Sequence, residues 1–123
     1  KYRPNETPPE GTRAGRGDTR MMETEFRKES LAIALKLRAF AEKKGTSAGH
    51  FAINWVLNNA LVTSVIAGPR TLEQWQDYLK ALEFKFEPRG EALVNSLVSV
   101  GHPSTPGYND PQYPLTGRVP LVS

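Results

Sequence analysis

The stretch that decides the fold is Val62-Thr63-Ser64-Val65-Ile66-Ala67, followed directly by Gly68-Pro69-Arg70-Thr71. It is short, rich in β-branched residues and bounded by Asn58-Asn59 before and Gly68-Pro69 after, so it reads as a strand. No other segment reads as one convincingly. A lone strand leaves N–H and C=O groups unpaired along both edges, which a buried apolar segment does not tolerate. Its pairing partners are therefore expected elsewhere.

Working outward, the flanking segments follow helical spacing. Upstream, Phe26, Ile33, Leu37 and Phe40 line one face, flanked by Ala34 and Ala41, and Lys43-Lys44-Gly45 supplies a basic last turn and a stop. Leu31 and Leu35 fall on the other side, so this helix has the pattern to contact two neighbours. Thr46 or Ser47 then caps a second helix carrying Ala48, Phe51, Ala52, Trp55, Val56 and Asn59 on one stripe. Downstream, Leu72, Trp75, Tyr78, Leu79 and Leu82 mark a third helix, with Thr71 as N-cap and Gln74 in capping-box spacing. A fourth runs from Pro88 through Leu93, Val94, Leu97 and Val98 to Gly101.

Helix, strand, helix with short connections is the pattern of a parallel α/β sheet or barrel. The chain is thus expected to be one slice of a larger α/β fold, mostly helical within its own bounds. Residues 1–22 read as an extended, mildly basic loop, 23–101 as the helices and the strand, and 102–123, with five prolines, as a tail that lies on something or is disordered.

Composition agrees with a thin core. The 123 residues are 38% apolar without glycine, and stay below the roughly 45–50% of a globular domain when glycine is added as that average does. No run of about 18 apolar residues exists and no leader pattern opens the chain, so neither a membrane span nor secretion is expected. The absence of cysteine excludes disulfides, thiolate zinc sites and a cysteine nucleophile, and leaves a cytoplasmic location as the expectation. A net charge of +3 is too small to imply a nucleic-acid partner.

Ligands of parallel α/β folds sit beyond the carboxyl ends of the strands, where Gly68-Pro69-Arg70-Thr71 would lie. Gly68 permits close backbone approach, a helix opening at Thr71 offers free N–H groups, and Arg70 adds a guanidinium fork suited to a phosphate. The alternative is an ordinary strand-ending turn with a solvated arginine.

The stretch Val65-Ile66-Ala67-Gly68-Pro69-Arg70-Thr71-Leu72-Glu73-Gln74, with Trp55 in Ala52-Ile53-Asn54-Trp55-Val56-Leu57 upstream, resembles the C-terminal part of the aldo-keto reductases, close to the bacterial members related to potassium-channel beta subunits. Lys1-Tyr2 and Pro8-Pro9-Glu10-Gly11-Thr12-Arg13 resemble the end of that family's strand-seven motif and the loop after it. The resemblance implies the C-terminal portion of a (β/α)8 TIM barrel that reduces aldehydes or ketones with NADPH. Residues 1–22 would be the loop after strand seven, 23–101 the last helices and strand eight, and 102–123 the C-terminal tail.

By the same resemblance Gly68 and Arg70 would lie at the adenosine 2′-phosphate, Gln74 and Asp77 along the adenosine, and Lys1 and Arg13 near the pyrophosphate side or the phosphate. Gln74 alternatively only completes a capping box, Asp77 is a solvated helix charge, and Lys1 and Arg13 are loop charges. The chain departs from the family in carrying Tyr78 where Asn is common, and none of its residues match the catalytic tetrad of Asp, Tyr, Lys and His. His50 and His102 read as surface or packing residues, Tyr108 and Tyr113 lack a visible acid or base partner, and Arg16-Gly17-Asp18 reads as a chance tripeptide. The expected partners are a small carbonyl substrate, the N-terminal remainder of the barrel and a second copy in a homo-oligomer. Rival readings are a non-catalytic helical interaction module and an NADPH-binding regulatory subunit.

Overall fold

A computed structural model describes residues 2–99 and 117–122. Four α-helices dominate it: α1 (Lys28–Lys43), α2 (Ala48–Leu57), α3 (Leu72–Leu79) and α4 (Pro88–Leu97). A single π turn, Met21–Glu25, precedes α1, and a 3-10 turn, Lys80–Glu83, continues α3.

The helix boundaries follow local chemistry. Gly45 adopts φ +72°, a left-handed conformation open to glycine at no steric cost. There its N–H reaches the Glu42 carbonyl at 3.1 Å while the Thr46 N–H reaches that of Ala41 at 3.0 Å, closing α1 in a Schellman motif. Ser47 then caps α2 by accepting the His50 N–H at 3.1 Å, and Pro88 occupies the first turn of α4, where its missing N–H is no loss.

The core forms where α1, α2 and α4 meet. Ala41, Phe51 and Val94 are buried, surrounded by half-buried Leu37, Phe40, Trp55, Phe84, Phe86 and Val98. Phe51 contacts Phe40 edge-on at 5.7 Å between ring centroids and Phe86 at 5.3 Å. Gly90 of α4 lets the backbone come against these rings, since a Cβ there would stand 3.0 Å from atoms of both Phe51 and Phe86. Phe51 is the one large apolar side chain less than 2% exposed among the described residues, so the core is as thin as the composition predicts.

Three expectations need correction. No strand forms over 62–67: the segment is extended without a ladder, Ile66 is 98% exposed, and the β pairing among the described residues is a single bridge between Asn59 and Pro120. The reason is the one the sequence raised, because a ladder requires a neighbouring strand and the described residues bring none. The helix expected to begin near Phe26 begins at Lys28. Residues 1–22 are not simply extended: the Thr12 hydroxyl donates to the Pro9 carbonyl at 2.7 Å and accepts the Gly15 N–H at 3.1 Å, burying Thr12 and Ala14 in a tight turn.

Residues 117–122 return to α2 and α4, where Arg118 grips Glu91 with Nη2 to Oε2 at 2.6 Å and Nε to Oε1 at 2.7 Å. Both side chains are almost wholly buried, at 3% and 2% exposure. The guanidinium also stacks 3.8 Å from the centroid of Trp55 and donates to its carbonyl at 2.9 Å. Asn58 completes the clasp through Glu91 Oε2 and the backbone of Val122.

Candidate functional site

The site is organised by the start of α3. The Thr71 hydroxyl accepts the Gln74 N–H at 3.2 Å, so the first turn is capped as its spacing predicts. The N–H groups of Leu72 and Glu73 are left without acceptors inside the helix, as at any helix start. Gln74 reaches one residue beyond the cap, its Oε1 accepting the Arg70 N–H at 2.7 Å. This shifted capping box ties down the Gly68–Thr71 loop and gives Gln74 a defined structural task.

Gly68 stands in open space, with nothing within 4 Å of where a Cβ would sit. Arg70 is exposed, and its Nη1 lies 3.4 Å from the Gly11 carbonyl, which brings the 9–18 turns alongside the loop. Among the described residues its guanidinium pairs with no carboxylate. Arg13 differs: it bonds Asp18 at 3.2 Å and has Glu25 at 3.7 Å. Asp18, which also accepts the Met21 N–H, titrates below the usual carboxylate range because of that backbone bond first and Arg13 second. Lys1 lies outside the described residues, as do His102, Tyr108 and Tyr113.

An open depression of about 700 Å³ runs along α3, lined by Thr71, Glu73, Gln74, Gln76, Asp77 and Lys80. Asp77 is on its rim but is not free, because Oδ1 lies 3.3 Å from His50 Nε2 and 4.0 Å from Lys80 Nζ. Geometry thus brings Gly68, Arg70, Gln74 and Asp77 to one end and flank of α3, with Arg13 joined to it through the Gly11 contact and held by its own carboxylates. Tyr78 is half-buried.

Residues 2–98 match the family model described as the aldo/keto reductase family. The chain belongs to the aldo/keto reductase family. A curated relative, an uncharacterized oxidoreductase, YrpG, of Bacillus subtilis (strain 168), is 33% identical over 66 residues, a match covering 51% of this chain and 20% of that protein. The chain therefore spans about a fifth of the length of that relative in the match. No solved structure matches it significantly.

The sequence reading missed the most deeply buried charges, Arg118 and Glu91. A signal for Glu91 existed: it sits three residues before Val94 and seven before Val98, an acid on the apolar stripe of α4. Nothing local marks Arg118 as its partner. No helix among the described residues is long and apolar enough to cross a membrane.

Proposed function

We propose that this chain is the C-terminal portion of a (β/α)8-barrel oxidoreductase that reduces aldehydes or ketones with NADPH, and that the Gly68–Thr71 loop with the start of α3 receives the 2′-phosphate of the cofactor. The carrying observation is the Arg70 guanidinium, which among the described residues meets the Gly11 carbonyl and no carboxylate, beside an open glycine and a capped helix start. Unsatisfied N–H groups and the positive end of the helix dipole favour an anion there, and a guanidinium fork adds directed, charge-assisted bonds. The residues fit the group: Gly68 leaves room for it, Arg70 is available, and Gln74 holds the loop in place through the Arg70 N–H.

When bound, the cofactor supplies the hydride; the role of this chain is to bind and orient. Arg70 recognises the phosphate charge, Gln74 fixes the loop that carries Arg70, and Arg13, clamped by Asp18 and Glu25, shapes the facing turn. The catalytic tetrad and the carbonyl pocket belong to the remainder of the barrel, and the location is cytoplasmic.

The test is Arg70→Ala in the complete protein, with NADPH and NADH titrated separately. A hydrogen bond to a charged group contributes about 1.5–3 kcal/mol, so NADPH should bind about 10- to 150-fold more weakly while NADH is nearly unaffected. Equal losses for both cofactors would overturn the phosphate assignment.

A further inference from the structure

We propose that the junction of α2 and α4 is a peptide-recognition site whose ligand is an extended segment bearing one arginine, and that residues 117–122 are its resident ligand. The way this segment is held separates it from a tail fixed by ordinary packing. Its apolar side chains contribute little, since among the described residues Val119 is 51% exposed, Leu121 64% and Val122 37%. What the site grasps is the backbone and a single side chain.

The backbone is read by Asn58 and Asn59, where α2 ends. The Leu121 N–H donates to the Asn58 carbonyl at 3.0 Å and the Ala60 N–H to the Val119 carbonyl at 2.8 Å, an antiparallel pairing centred on the Asn59–Pro120 bridge. The Asn58 carboxamide extends it as a further strand residue would, accepting the Val122 N–H and donating to the Val122 carbonyl, each at 3.0 Å. Asn59 Oδ1 accepts the Val119 N–H at 3.0 Å. Every N–H from Val119 to Val122 therefore ends on these two asparagines, Pro120 having none to offer. No bond in this set uses a side chain of residues 119–122. Gly117, at φ +75° and with Leu61 Cδ1 3.2 Å from where a Cβ would sit, turns the chain into the site.

The arginine is read by a socket of different chemistry. Both Glu91 oxygens meet the guanidinium, Trp55 supplies its carbonyl as a third acceptor and its ring as a platform, and Asn58 Nδ2 steadies Glu91 Oε2 from the side. A planar fork satisfies three acceptors and stacks on the ring at once, whereas an ammonium meets them only as a point charge. Glu91 is so deeply buried that an occupant without the fork leaves its carboxylate short of partners, which is costly away from water. Backbone pairing supplies affinity and the socket supplies selectivity, the division of labour found where an extended peptide adds alongside a strand.

Occupancy in trans tests this. In the complete protein carrying Arg118→Ala, and separately Arg118→Lys, amide exchange at Ala60 reads whether the site is filled, because this N–H belongs to the receiving side and bonds the Val119 carbonyl of the docked segment. Exchange there should be faster than in the wild type in both variants. A synthetic peptide of the 117–122 sequence with blocked ends, added at millimolar concentration, should restore slow exchange. The same peptide carrying Arg118→Lys should need at least about tenfold more, the factor that one charge-assisted hydrogen bond is worth. A peptide carrying Leu121→Ser should match the parent within about threefold, the span of an exposed substitution. Wild-type exchange in Arg118→Lys, an arginine peptide that fails to slow exchange, a lysine peptide that acts equally well, or a loss beyond tenfold with Leu121→Ser overturns the proposal. Should Arg118→Ala not fold, Arg118→Lys, which keeps the positive charge, carries the same comparison.

Discussion

Removing the Arg118 side chain should unfasten the C-terminal segment at a large energetic cost. Arg118 and Glu91 form a bidentate pair at 2.6 and 2.7 Å with side chains 3% and 2% exposed. In Arg118→Ala, Glu91 keeps one neutral contact, Asn58 Nδ2 at 3.3 Å, and stays in a site closed to water. Breaking one partner of a buried ion pair typically costs 3–5 kcal/mol, roughly a third of the stability of an ordinary domain or more. The cation–π stacking on Trp55 at 3.8 Å adds about 1–2 kcal/mol to the loss. Replacing both partners, Arg118→Met with Glu91→Leu, removes the orphaned charge as well, so the double variant should lie within about 2 kcal/mol of the wild type. Guanidinium denaturation of the complete protein supplies the comparison, with amide exchange at Ala60 and Leu121 reporting the clasp directly, since these N–H groups bond Val119 and Asn58 carbonyls across it. A loss below about 1 kcal/mol for Arg118→Ala, or a double variant as unstable as the single one, would refute the reasoning that desolvated charge complementarity holds this segment.

Other expectations follow from single contacts. Gly90→Ala should destabilise by about 1–3 kcal/mol although Gly→Ala in a helix interior normally helps, because the new methyl meets the Phe51 and Phe86 rings at 3.0 Å; a raised Tm would contradict this. Thr71→Ala should lower stability by about 1 kcal/mol and loosen the Arg70 loop, measured as faster amide exchange at Gln74. Asp18 has a lowered folded pKa, so the stability it contributes is present above the ordinary carboxylate range and is lost as pH falls through its lowered value. Protection of the Met21 amide should decline over that acidic window in the wild type and be flat in Asp18→Asn.

The helical part of the fold was legible because each signal is local. Stops such as Gly45, caps such as Ser47 and Thr71, the Pro88 start and the Phe51 stripe all act within about one helical turn, so the residues themselves carry the information. The start of the candidate site was legible for the same reason, since Gly68, Arg70, Thr71 and Gln74 are neighbours in the chain. Asp77 was legible as a position but not as a contact: its partner His50 comes from another helix. Arg13 likewise looked available until Asp18 and Glu25 were seen to surround it.

What the sequence by itself determined is the set of helices, their caps and the loop that places Gly68 and Arg70 directly before the start of α3. What only the tertiary structure decided is which charges meet a carboxylate within the protein and which do not. Arg118 is paired with Glu91 and Arg13 with Asp18 and Glu25, whereas among the described residues the Arg70 guanidinium touches a single carbonyl oxygen. The division has a physical cause. Helix formation is settled by interactions between residues three or four apart, but the pairing of two charges depends on whether the packed chain brings them together and shields them from water. The same cause explains the 62–67 segment, whose strand propensity is local and whose hydrogen-bond partners must come from other strands.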